Sequence, residues 1–99
     1  MNKILVVDDD AELRAKLSKL LKDAGYNVEE AASGAEAISK ARLEFISIVL
    51  LDYLMPEMNG METLIELRRV SPKTKVIMIT AYAQVEKAIN AILKNGLYY

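Results

Sequence analysis

Short aliphatic runs alternate with stretches of helical period along this chain, and that order leaves few folds open. Lys3–Val7 is an apolar run of strand length. Leu13, Leu17, Leu20, Leu21 and Ala24 follow at i, i+4, i+7, i+8 and i+11, one face of an amphipathic helix. Asp10 is placed to cap its start and Gly25 to stop it. Asn27–Ala31 reads as a short second strand. Ser33 and Glu36 have the S-x-x-E spacing of a capping box, opening a helix that turns Ala37, Ile38 and Ala41 inward. Ile46–Leu51 is a third strand running onto Asp52. Tyr53–Asn59 holds Pro56 and leads into Asn59-Gly60, so it reads as a loop. Asn59 is placed to cap a third helix through Glu62, Leu64, Ile65 and Arg68, which Ser71-Pro72-Lys73 breaks. Lys75–Ile79 is a fourth strand running onto Thr80. Val85, Ala88, Ile89 and Ile92 mark a fourth helix, closed by Asn95-Gly96, and Leu97-Tyr98-Tyr99 approaches a fifth strand.

The order is (βα)4 plus a stub, which predicts an α/β fold: a doubly wound parallel sheet with helices on both faces. Val49–Leu51 and Val76–Ile79 are nearly all aliphatic, as expected of strands buried on both sides. A length of 99 residues suits one domain, residues 1–99, with one modest core.

Composition removes several chemistries. Cysteine and histidine are both absent, so disulfides, thiolate metal sites and imidazole bases are excluded. A bound metal must then be held by oxygen, which favours Mg²⁺, Ca²⁺ or Mn²⁺. Thirteen basic and fourteen acidic residues leave a net charge of −1, which gives no electrostatic case for direct nucleic-acid or membrane binding. No signal peptide and no bilayer-length apolar run is present, and a cytoplasmic location is expected.

The chemistry concentrates where strands end. The first strand ends on Asp8 and Asp9, the third on Asp52 and the fourth on Thr80. Taken singly, such residues read most simply as turn residues, helix caps and ordinary strand-end hydroxyls. Taken together, they close three strands of one parallel sheet, whose ligands bind beyond the carboxyl ends of the strands. Three carboxylates within about 5 Å repel by about 3 kcal/mol per pair at an effective dielectric of about 20. A proton or a hard divalent cation relieves that repulsion, and Mg²⁺ suits one or two carboxylates with room left for a phosphate. Asp10 reads as a cap, not a ligand.

The stretches ILVVDDD (Ile4–Asp10), VLLDYLMPEMNG (Val49–Gly60) and VIMITAY (Val76–Tyr82), with Gly96 beyond, resemble the receiver domain of bacterial two-component response regulators. The resemblance spans nearly the whole chain. It implies the flavodoxin-like fold with strand order 2-1-3-4-5. It further implies that Asp52 is the phosphoacceptor, taking a phosphoryl group from a sensor histidine kinase. By the same resemblance Asp9, Asp52 and the Leu54 backbone carbonyl hold Mg²⁺, with Mn²⁺ as a substitute. Asp8 holds the metal through water, and Thr80 bonds the phosphoryl group and switches. The chain is then a self-phosphorylating acceptor, not a turnover enzyme.

The family pattern continues with a fifth strand bearing a Lys-Pro pair and a fifth helix. This sequence stops before both, so a C-terminally incomplete receiver is expected. The edge of the fourth strand is then open to pairing, and a homodimer through it is expected. Leu54 and Tyr82, two positions after the acceptor and the threonine, carry no group that orients water, which implies slow hydrolysis of an aspartyl phosphate. The alternative reading is a receiver-fold scaffold or dimerisation module that binds metal without switching. An aspartate-nucleophile phosphatase would need D-x-D-x-T, where Asp8-x-Asp10-x-Glu12 stands. A flavin-binding domain would need phosphate-cradling donors where three acids stand.

Overall fold

The computed structural model describes residues 3–52 and 60–79. Seven elements follow in order: β1 (Lys3–Val7), α1 (Ala11–Asp23), β2 (Asn27–Ala31), α2 (Gly34–Leu43), β3 (Ile48–Asp52), α3 (Gly60–Val70) and β4 (Lys75–Ile79). The four strands form one parallel sheet in the order β2-β1-β3-β4. This is the flavodoxin-like order expected for the first four strands. The fourth helix, Asn59, Leu54, Thr80 and the Leu97–Tyr99 stub lie outside the described residues.

The aliphatic runs are unbroken because helices cover both faces. Ile4 and Val6 of β1, with Ile48 and Leu50 of β3, pack with Leu17 and Leu21 of α1. The alternate residues, Leu5, Val7, Val49 and Leu51, pack with Ala37, Ile38 and Ala41 of α2 and Leu67 of α3. Successive side chains of a strand point to opposite faces, so each strand feeds two core layers at once. All eight of these strand residues are at most 1% exposed. Their burial stabilises the sheet at about 25 cal/mol per Å² of apolar surface removed from water.

Helix ends follow the sequence signals closely. The Asp10 carboxylate accepts the N–H groups of Glu12 (3.0 Å) and Leu13 (3.2 Å), which would otherwise lack partners at the helix start. Gly25 has φ +98°, the conformation in which a side chain is strained, and the chain turns there into β2. Ser33 Oγ accepts the Glu36 N–H at 3.1 Å. The returning Glu36 carboxylate accepts from the Ala32 N–H at 2.8 Å, one residue before the cap. The box therefore also pins the exit from β2.

Several boundaries and faces differ from expectation. The inward face of α1 is Leu17, Ser18 and Leu21, with Leu13 at its margin. Leu20 is 49% exposed, because it lies on the flank of the stripe away from Ser18. Ala24 is the C-cap and is exposed. In α3 the buried positions are Gly60, Thr63 and Leu67, while Ile65 faces solvent. In β4, Val76, Ile77 and Met78 are half-buried and only Ile79 is buried, since β4 is outermost among the described strands.

β3 begins at Ile48, not Ile46. The Ile46 side chain is fully buried, but its carbonyl accepts the Thr74 hydroxyl at 2.6 Å. Thr74 has one proton to give, so the 2.6 Å contact between its hydroxyl and that of Ser71 is donated by Ser71. This buried chain of two hydroxyls joins the end of α3 to the entry of β3. Thr74→Val leaves a buried carbonyl without its donor and the Ser71 hydroxyl without its acceptor. We expect a loss of about 1–3 kcal/mol in chemical denaturation, and a smaller loss for Ser71→Ala, which removes one donor and spares the Ile46 carbonyl.

Candidate functional site

Register brings the acids together. Val7 of β1 is level with Leu51 of β3, so the next residue on each strand, Asp8 and Asp52, leaves the core at the same height. Asp52 is in turn level with Ile79 of β4. Carboxylate oxygens of Asp8, Asp9 and Asp52 all lie within 4.8 Å of one another. The cluster sits at the carboxyl ends of the two central strands, where an open parallel sheet binds its ligands. Asp8, Asp9 and Asp52 are thus assembled as the sequence suggested; Leu54 and Thr80 fall outside the described residues. Asp10 caps α1 through its carboxylate, as expected.

The three acids differ in exposure. Asp8 is 6% exposed, Asp52 is half-buried and Asp9 is exposed. Burial pushes the Asp8 carboxyl from 3.8 up to about 6; the charges of Asp52 and Asp9, and a hydrogen bond shared with Asp52, push the same way. The Asp10 N–H, 2.9 Å from Asp8 Oδ1, opposes them by stabilising the ionised form. Near neutral pH the pocket therefore holds crowded negative charge at an energetic cost.

This donor set fits a hard divalent cation. All its ligating atoms are carboxylate oxygens, the atoms that Mg²⁺ and Ca²⁺ select. A cation there would offset the repulsion that Asp52 and Asp9 add to the effect of burial on Asp8.

The backbone of the site is held from several sides. The Asp8 N–H donates to the Ala31 carbonyl of β2 (3.1 Å). The Asp8 carbonyl accepts from Arg14 Nη1 at 2.8 Å, and Arg14 Nε donates to Glu30 Oε1 of β2 at 3.0 Å. The sequence reading overlooked Arg14 and Glu30. A signal for Arg14 existed: helical side chains lean toward the N-terminus, so a long one in the first turns covers the preceding loop. Glu30 had no such signal.

The family model of the response regulator receiver domain matches residues 4–99. The transcriptional regulatory protein ZraR of Escherichia coli K12 is 42% identical over 96 residues, which are 97% of this chain and 22% of that protein. The chain thus spans about a fifth of that relative's length. Among solved structures, the response regulator protein TrrA of Thermotoga maritima, in complex with Mg²⁺–BeF, superimposes with a TM-score of 0.77 at 33% identity, covering 94% of this chain and 81% of that one. The complex of histidine kinase ThkA with TrrA gives 0.76 at 38% identity, covering 83% and 71%.

The Asp8 shift has a definite sign for stability. The native pKa lies above the unfolded one, so the native state holds the extra proton between about pH 4 and 6, and stability falls as pH rises through that window. About two units correspond to about 3 kcal/mol lost by neutral pH. Asp8→Asn keeps an acceptor for the Asp10 N–H and removes the charge. In chelator, it is expected to be more stable than wild type near pH 7, the advantage vanishing near pH 4, as read from denaturation midpoints.

Proposed function

We propose, from the premise that this chain belongs to the response regulator receiver domain family, that Asp52 accepts a phosphoryl group from a sensor histidine kinase. The observation that carries this reading is the convergence of the Asp8, Asp9 and Asp52 carboxylates on one rim of the sheet. Two-component signalling is the setting that the family supplies, and a cytoplasmic location goes with it. No described helix is long and apolar enough to cross a membrane.

In the proposed reaction an Asp52 carboxylate oxygen forms a bond to phosphorus as the donor's P–N bond breaks. The electron pair of that bond leaves with the imidazole nitrogen, and Asp52 becomes an aspartyl phosphate. Asp52 suits this role by position: it ends the central strand β3, half-buried, one residue beyond the ladder to β1 and level with Ile79 in the ladder to β4. Asp9 and Asp52 would hold Mg²⁺ or Mn²⁺ directly, joined by the Leu54 carbonyl, and Asp8 through water. Such a cation, when bound, offsets the charge that a phosphoryl group meets on approaching three acids. Asp8 supplies its charge from a buried, backbone-fixed position, so little reorganisation is needed. Thr80, which follows β4, is proposed to donate its hydroxyl to a phosphoryl oxygen. The Mg²⁺–BeF complex of TrrA and its complex with ThkA support the metal and the kinase by analogy.

The test uses acetyl phosphate, whose P–O bond breaks in place of P–N. Intact mass after incubation with Mg²⁺ is expected to show one added phosphoryl group. The addition should vanish in Asp52→Ala and in excess chelator. Mg²⁺ binding with no mass gain would instead identify a receiver-fold scaffold that does not switch. Leu54→Asn is expected to speed hydrolysis of the aspartyl phosphate, followed by decay of the added mass. A homodimer through the β4 flank, which carries no further strand among the described residues, is part of the same proposal, and light scattering reads it directly.

A further inference from the structure

Arg14 grips the backbone that carries two of the three carboxylates. Its guanidinium spans two elements: Nη1 reaches the Asp8 carbonyl at 2.8 Å and Nε reaches Glu30 Oε1 at 3.0 Å. The side chain is only 17% exposed, and that of Glu30 35%. We propose that Arg14 is a positioning residue for the divalent-cation site, its guanidinium, anchored on Glu30, fixing the Asp8 carbonyl and so the direction in which Asp9 presents its carboxylate. This inference rests on the proposed receiver function and adds a residue to it.

One peptide plane links the two residues. The Asp8 carbonyl and the Asp9 N–H belong to the same rigid unit, so holding the oxygen sets the orientation from which Asp9 departs. The other side of Asp8 is already fixed by its N–H bond to Ala31 and by its carboxylate, which accepts from Asp10. Without Arg14 the Asp8–Asp9 peptide keeps its upstream tie to β2 and loses this bond on its carbonyl. Asp9 is exposed, so packing does little to orient it. The guanidinium fork suits the task because it can donate in two directions from one plane.

Charge and position predict opposite signs, which makes the idea testable. A guanidinium near a cation site repels the cation, so if charge alone mattered its removal would tighten metal binding. If Arg14 orients Asp9, its removal weakens binding, as loss of groups that orient ligands generally does.

The experiment is calorimetric titration of MgCl₂ into chelator-stripped wild type, Arg14→Gln, Arg14→Lys and Glu30→Gln, at about pH 8, above the Asp8 titration. Denaturation curves establish that each variant is folded, and amide shifts of Asp9 and Asp10 are recorded without metal. Arg14→Gln is expected to raise the Kd for Mg²⁺ by about tenfold and to move both amide signals. Arg14→Lys keeps the charge but not the fork, and should recover only part of the affinity. Glu30→Gln removes the anchor's charge and should weaken binding in the same direction; it decides the matter if Arg14→Gln does not fold. A Kd within about twofold of wild type, or lower, in folded variants overturns the proposal, even if stability falls. Wild type that binds no Mg²⁺ overturns the underlying reading as well; wild-type binding with unchanged variants overturns this inference alone.

Discussion

The site exists because two buried strands are in register. Val7 is level with Leu51, and the residue after each is an aspartate. A slip of one residue would exchange the two core layers as well as separate the acids, since side chains alternate faces along a strand. The same aliphatic packing that stabilises the sheet therefore enforces the crowding of charge at its rim. Leu5, Val7, Val49 and Leu51 pack on one side and Ile4, Val6, Ile48 and Leu50 on the other, and the fit of these two layers against the helices goes with the register that brings the acids together.

That constraint explains why the repulsion is tolerated. A domain is stable by only about 5–15 kcal/mol in total, so an unrelieved acid cluster is a large perturbation. It is confined to the end of the sheet, where Asp8 can hold a proton or the cluster a cation without disturbing the layers beneath. The buried hydroxyl chain of Ser71 and Thr74 lies at the entry to β3 and β4, the opposite end of the sheet from the acids. Structural polar bonds and functional charge are thus segregated along the strands.

Much of this was legible in the residues. The aliphatic runs placed β1 and β4 to the residue, because apolar side chains on both faces leave a simple signature, while β2 was placed on a weaker alternation. Asp10, Gly25 and Ser33 announced helix ends, because a cap is a local event with local chemistry. What could not be read depended on distant groups. Ile46 looks like a strand residue, and only the Thr74 hydroxyl, 28 positions away, takes its carbonyl. Leu20 looks inward by periodicity, and only the direction of the sheet relative to α1 exposes it. Arg14 and Glu30 are ordinary charged residues until β2 is laid beside the first turns of α1. The motif identified the acids and left silent what holds them.

The unequal burial of the three acids bears on how they divide the work. Removing Asp8 from water raises the cost of its charge, and its pKa of about 6 records that cost. Asp9 adds charge at the solvent side without comparable desolvation. A cation entering from solvent would meet Asp9 and Asp52 before Asp8. In the proposed site the outer two would bind the cation directly, while Asp8 would act from a drier setting, where a fixed charge reaches further than in water. The ligand division proposed from the family, direct for the outer two acids and through water for the inner one, is compatible with that gradient of exposure. In this account the peptide that joins the inner acid to the outer one is the part of the loop where orientation matters most, because it connects a residue fixed by the core to one that the core does not reach.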